Sequence, residues 1–135
     1  MSLLLDSGIV YAYYDASDRW HLRAVELFEA EAGPLLLPSP VIPEVDYALG
    51  KRLDRRARRV FYQGIVEGDY LTVDLPQDAY QRVAEIDLAY DDLDLGFVDA
   101  AVVALAESLD VPRIATTDRR DFEPVARSLG VQLLP

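Results

Sequence analysis

Asp6, Glu44, Asp99 and Asp118 are far apart in the chain, yet each falls where a short apolar run ends or where the helix after it begins. Gathered at one rim, four carboxylates make an oxygen-only pocket for a hard divalent cation. With no cysteine and a single histidine in 135 residues, Mg²⁺ or Mn²⁺ suits the donor set better than zinc or copper. The chemistry that follows is hydrolysis of a phosphodiester, in which the cation acidifies a water and offsets charge on the phosphate or leaving oxygen. Taken singly, each acid has a plainer use as a helix cap or as a partner of the positive end of the helix dipole. The combination is harder to explain that way. Asp6 follows Leu3-Leu4-Leu5, and Asp99 stands among Phe97, Val98, Ala100 and Ala101; an uncompensated carboxylate there is costly and needs a cation or hydrogen-bond donors. Without metal the four would repel and at least one pKa would rise, so protons and cation compete and activity falls in acid.

The elements that must position these acids follow from periodicity. Short, mostly aliphatic runs predict strands at Ser2 to Asp6, Pro34 to Leu37, Tyr70 to Val73, Arg113 to Ala115 and Val131 to Leu133. A first short helix carries Tyr11, Tyr13 and Tyr14. Between the first two strands, Arg19 to Ala32 reads as a helix capped by Asp18, with Ala24, Leu27 and Phe28 on one face and Gly33 as its stop. Ser39-Pro40 opens a helix through Glu44, Val45, Ala48 and Leu49, with Gly50 as its natural break. Further helices are predicted over Ala57 to Glu67, Asp78 to Tyr90 and Asp99 to Leu109, the last buried because Ala100 to Ala106 is almost wholly apolar. This βα alternation predicts an α/β fold with a mostly parallel sheet between helical layers. In such sheets ligands collect outside the carboxyl ends of the strands, where the following helices begin, and all four acids can reach that edge.

Composition narrows the function classes. The length is about one domain's worth, and 51% hydrophobic with 27% charged residues matches an ordinary globular chain, so one domain over residues 1–135 is expected. A formal net charge of −11 argues against general coating of nucleic acid, so any such contact must be local. Asp6 interrupts the opening leucines at once, and no run approaches the ~20 apolar residues of a membrane span. A cytoplasmic protein with no membrane contact is the expectation.

The segments LLLDSGIVYAYYD, PSPVIPEVDYAL, LGFVDAAVVALAESLDV and IATTDRRDF, in this order and at these intervals, resemble a PIN domain, and within that family the VapC toxins of bacterial toxin–antitoxin pairs. The last segment carries Thr116, Asp118, Asp121 and Phe122. The resemblance implies an α/β/α sandwich and a metal-dependent endoribonuclease, with Asp6, Glu44, Asp99 and Asp118 as its metal-binding and catalytic quartet. It also implies that Thr116 stands beside the last acid, where its hydroxyl can hydrogen-bond a carboxylate or a metal-bound water, that Asp121 is an additional, outer acid, and that the chain is a homodimer restrained by a small VapB-like antitoxin. No principal position departs from the pattern.

Substrate contact has a separate candidate. Lys51, Arg52, Arg55, Arg56, Arg58 and Arg59 supply six of the 13 cationic residues within nine positions. Such a run is often only a solvated helix face, but an enzyme whose pocket repels phosphate needs a cationic approach, so RNA backbone contact is expected there, with docking of an acidic antitoxin segment as the alternative. His21, beside Trp20, is read as a helix anchor, and the tyrosines as packing. Asp91-Asp92-Leu93-Asp94 lacks the glycine and glutamate of a calcium loop, since Phe97 and Val103 occupy those places counted from Asp92, and it reads as a solvated loop with Asp94 a weak outer-shell candidate. Two rival functions remain. A magnesium-dependent phosphatase of haloacid-dehalogenase type needs a second Asp where the chain has Gly8; a catalytically silent interaction module of the same fold should have lost a pocket acid, and none is missing.

Overall fold

The computed structural model describes residues 2–135. Its strands are β1 Leu3–Leu5, β2 Leu35–Pro38, β3 Leu71–Val73, β4 Arg113–Ala115 and β5 Gln132–Leu134. The helices are α1 Ser7–Tyr14, α2 His21–Ala30, α3 Ile42–Arg52, α4 Arg55–Glu67, α5 Ala79–Ala89, α6 Gly96–Ser108 and α7 Arg119–Leu129. The five strands form one sheet in the order β3-β2-β1-β4-β5, and every pairing is parallel. From β1 the chain steps outward one way through β2 to β3, then crosses back to continue the other way through β4 to β5. Right-handed crossovers put α1 to α4 over one face and α5 to α7 over the other. The sheet is thus covered on both sides, which is why β1 is leucine at all three positions and fully buried.

α6 is the central helix on its face. Ala100 to Ala106 are all at most 3% exposed, and the helix packs along α5 and against β1. Small side chains permit that close approach while leaving Asp99 in the first turn, facing the carboxyl edge. No helix among the described residues is long and apolar enough to cross a membrane.

Several boundaries differ from the sequence expectation for local reasons. α2 starts at His21, not Arg19, because a turn precedes it: the Asp18 carboxylate accepts the Trp20 N–H at 2.8 Å and the Asp18 carbonyl accepts the His21 N–H at 3.0 Å. It also ends at Ala30, before Gly33; Glu31 is already extended and its carboxylate accepts the Gly33 N–H and pairs with Arg113 of β4. Gly50 does not break α3, which runs on to Arg52. Its lack of a side chain serves packing, because a Cβ there would lie 3.1 Å from Cδ of Arg58 on α4. α4 begins two residues early because Asp54 caps it, accepting the Ala57 N–H at 2.9 Å. α7 was not expected at all. Pro124 in its interior masks an amphipathic face of Phe122, Val125 and Ala126, and Gly130, in the left-handed region at φ 69°, closes it.

Candidate active site

The strand order reverses at β1, so the crevice lies outside the carboxyl ends of β1 and its neighbour β4. Leu5 stands opposite Ala115, and a final bond runs from the Asp6 N–H to the Ala115 carbonyl at 2.9 Å. The residues that follow on each strand, Asp6 and Thr116, are therefore side by side. Thr116, fully buried, donates its hydroxyl to Asp6 Oδ2 at 2.9 Å and accepts the Asp118 N–H at 3.0 Å. One hydroxyl fixes both the acid after β1 and the backbone of the acid after β4.

Asp6 is 4% exposed, and its Oδ1 is buried with no hydrogen-bond partner among the described residues. It occupies the N-cap position of α1 without making a side-chain cap bond. Burial pushes its carboxyl up to about 6; the Ser7 N–H and the Thr116 hydroxyl pull the other way, and the Glu44 and Asp118 carboxylates add to the rise. Asp99 is pushed up to about 7, again by burial first and then by the charges of Asp6, Asp118, Glu44 and Asp121. Asp121, in the first turn of α7, is also raised, by burial and by the neighbouring Asp118. Asp118 caps α7, its Oδ1 accepting the Asp121 N–H at 3.3 Å. The plain capping role and membership of the acidic group coexist in this residue.

Three of these acids come closest: one oxygen each from Asp99, Asp118 and Asp121 lie within 4.8 Å of one another. Magnesium holds its ligands at about 2.1 Å, so two of them stand at most about 4.2 Å apart, and small side-chain adjustments bring the three into range. All donors are hard oxygens, and Asp6, whose Oδ1 has no partner among the described residues, is near enough to act on Asp99 through its charge, which fits a divalent cation. Asp121, expected as an outer acid, belongs to the close group. Glu44, in the first turn of α3, stands outside it and acts on Asp6 and Asp99 through its charge.

The remaining candidates divide. Lys51, Arg52, Arg55, Arg56 and Arg59 are exposed around the α3–α4 junction and form no ion pair among the described residues, whereas Arg58 is half-buried against Gly50. His21 anchors α2 as expected, its Nδ1 lying 2.8 Å from the Ala12 carbonyl oxygen. Tyr13 stacks on Phe28, and Tyr14 shares a 2.7 Å hydrogen bond with Tyr70, so both serve packing. Asp91, Asp92 and Asp94 are exposed on and just after the short 3₁₀ turn Asp91–Leu93, apart from the acidic group. Gly8 has a positional reason: a Cβ there would fall 2.3 Å from Thr117 Oγ1.

Comparison with known proteins places the fold and the family. Over 128 residues the chain is 28% identical to Ribonuclease VapC26 of Mycobacterium tuberculosis, covering 95% of this chain and 94% of that protein. The fold matches the crystal structure of VapC20 from Mycobacterium tuberculosis, a sarcin-ricin loop cleaving toxin, with a TM-score of 0.82 at 18% identity over 98% of this chain and 99% of that one. It also matches VapBC2 from Rickettsia felis, bound to a DNA fragment from its promoter, with a TM-score of 0.71 at 16% identity, over 98% and 97% of the two chains. The family profile described as PIN domain matches residues 3–128. By that match, which takes in β1 through nearly all of α7 and every acid of the site, the chain belongs to the PIN domain family.

Proposed function

We propose that the chain is a metal-dependent endoribonuclease that hydrolyses RNA phosphodiesters as the toxin of a VapBC-type pair. The observation that carries this reading is the group of Asp99, Asp118 and Asp121 beside the orphaned Asp6 carboxylate at the edge of β1 and β4. Its likeness to Ribonuclease VapC26 supports RNA as the substrate class. Asp99, Asp118 and Asp121, with Asp6 beside them, would hold Mg²⁺ or Mn²⁺, and Glu44 would flank them. When bound, the cation acidifies water and offsets charge on the phosphate. Thr116 keeps Asp6 and Asp118 oriented through its two hydrogen bonds. Asp99 and Asp118 orient the attacking water opposite the leaving ribose oxygen, and a carboxylate of the acidic group takes up its proton. The P–O bond to the leaving oxygen breaks in line, and that oxygen takes a proton from solvent. A VapB-like antitoxin as partner is supported by the likeness to the Rickettsia felis VapBC2 structure. The exposed rings of Tyr80 and Phe97, stacked at 6.1 Å, offer an apolar surface for homodimer contact.

The direct test incubates the purified chain with total RNA and Mg²⁺ or Mn²⁺. Cleavage is expected, and EDTA should stop it; cleavage that persists in EDTA refutes the mechanism. Thr116→Val should cut the cleavage rate roughly 10- to 100-fold, the scale seen when groups supporting metal ligands are lost. It should also cost about 1–3 kcal/mol of stability, because the Asp118 N–H loses its acceptor and Asp6 loses its donor. Thr116→Ser keeps both bonds and should retain activity. Comparing rates and thermal unfolding of the two variants separates the hydroxyl's role from that of the methyl group.

The exposed cations form the approach for RNA in this reading. Replacing Arg55, Arg56 and Arg59 with Gln should weaken RNA binding and flatten the slope of log K against log salt by about 2, given roughly 0.7 per phosphate contact on single strands. Fluorescence anisotropy across a salt series measures both. Unchanged affinity would remove these arginines from the interface.

A further inference from the structure

Beside the acidic group lies a cavity of about 210 Å³ whose lining includes Ser7, Tyr11, Asp18, Glu44, Arg52 and Thr117. Glu44 and Thr117, the latter next to Thr116, make it continuous with the edge where cleavage is proposed. Arg52 caps one wall. Its guanidinium carbon lies 5.1 Å from the centroid of the buried Tyr11 ring, within cation–π range, while the Arg52 side chain is otherwise exposed. Arg52 forms no ion pair among the described residues. Opposite in chemistry, Asp18 uses only Oδ1, accepting from the Trp20 N–H, and leaves its second oxygen without a partner among the described residues.

The signs of these groups select the occupant. A phosphate at this point would meet Arg52 favourably but also two carboxylates, Asp18 and Glu44. A neutral base carrying acceptors on one edge and donors on another meets complementary groups on both sides, because Arg offers only donors and carboxylates only acceptors. Single-stranded RNA is read in this manner, with bases stacked on aromatic or guanidinium planes and hydrogen-bonded along their edges. The Arg fork matches paired acceptors such as O6 and N7 of guanine, and a carboxylate accepts from the N–H groups of the same base. Resting on the ribonuclease reading above, we infer that this cavity is a nucleobase subsite in which Arg52 and Asp18 select guanine next to the scissile phosphate. Arg52 thereby leaves the group of backbone-contacting cations and becomes a specificity residue.

The test uses the full chain with Mn²⁺ and an RNA library carrying a randomised single-stranded loop, with cleavage ends sequenced and initial rates taken at several salt concentrations. The native chain should favour guanine at one fixed position beside the cut. Arg52→Lys keeps the charge but loses the planar fork, so it should relax that preference about tenfold while leaving the salt dependence unchanged. Asp18→Asn keeps Oδ1 for Trp20 and replaces the free acceptor by a donor, so it should also relax or redirect the preference. Arg52 is exposed, so its replacement tests the inference even if Asp18→Asn impairs folding. An Arg52→Lys profile identical to the native one overturns the inference, as does an Arg52→Ala variant that slows all sequences equally and lowers the salt slope by about 1, the behaviour of a phosphate contact. Native cleavage with no base preference overturns this inference alone; no native cleavage with either metal overturns the ribonuclease reading beneath it.

Discussion

Replacing Asp99 with asparagine should abolish metal-dependent cleavage and, without metal, make the folded chain more stable. The two effects have one cause. Asp99 is held among Asp6, Asp118, Glu44 and Asp121, in a partly dehydrated setting that pushes its carboxyl up to about 7. Above that pH it is ionised at a cost, and the folded state carries the cost because the same group in the unfolded chain ionises freely near 3.8. A shift of this size would correspond to more than 4 kcal/mol for a fully buried group. Asp99 is partly exposed to solvent, which screens its neighbours, so about 2 kcal/mol is the expected gain at pH 8. Asparagine removes the charge and keeps the shape. It also removes an oxygen anion from the cation site, and the loss in rate should exceed the roughly 100-fold seen when merely supporting groups are removed. Cleavage of total RNA, metal titration by calorimetry and thermal unfolding in EDTA read the three consequences. A variant that still cleaves, or that melts lower than the native chain in EDTA, would show that Asp99 is not part of a repulsive, metal-holding group.

How much of this site could be read beforehand depended on whether local sequence decided it. Asp6 was legible because an apolar run that ends abruptly in a carboxylate marks a strand's carboxyl end; the pairing of β1 with β4 was not, because βα alternation implies a parallel sheet and leaves the strand order open. Thr116 was legible only through resemblance, since nothing local shows that its hydroxyl meets Asp6 from 110 positions away. Asp121 was placed too far out because α7 was missed: Pro124 hides the helix, and without that helix the first-turn geometry that turns Asp121 toward Asp118 has no frame. Gly50 was misread as a break because glycine's backbone freedom is visible in sequence and its role as a gap for Arg58 is not. The cavity shared by Asp18, Arg52 and Thr117 joins the α1–α2 connection, the end of α3 and the turn after β4. Three separate segments meet there only after folding, so no spacing rule announces it.

Cleavage and cation affinity should both fall steeply in acid, while the metal-free chain becomes more stable over the same range. Asp99 and Asp6 take up protons near about 7 and about 6 in the folded chain, against 3.8 when unfolded. Because both folded values are raised, the folded state binds more protons between these limits, so the stabilisation is full below 3.8 and is lost as pH rises through 6 and 7. From pH 5 to pH 8 the metal-free chain should lose about 2–3 kcal/mol, allowing for the exposure of Asp99 and the coupling of the two sites. For a chain of this size that lowers Tm by roughly 10 °C. Asp15 runs the other way, its carboxyl held low by Ser17 and Tyr11, but its contribution is lost only as pH falls below the ordinary carboxylate range and does not disturb this window. The cation reverses the sign, since it binds the ionised acids: at one hundred times its Kd it restores about 2.7 kcal/mol at pH 8. One proton must leave for binding between pH 6 and 7, and two below 6. Log affinity for Mn²⁺ should therefore fall with a slope of about 1 per pH unit in the first interval and approach 2 in the second. Calorimetric titration with Mn²⁺ and thermal unfolding in EDTA, both from pH 5 to 8, measure the opposed trends on one sample. A metal-free Tm that rises across this range, or a cation affinity flat in pH, would mean that the acids at the β1–β4 edge carry compensating partners and do not form the cation site.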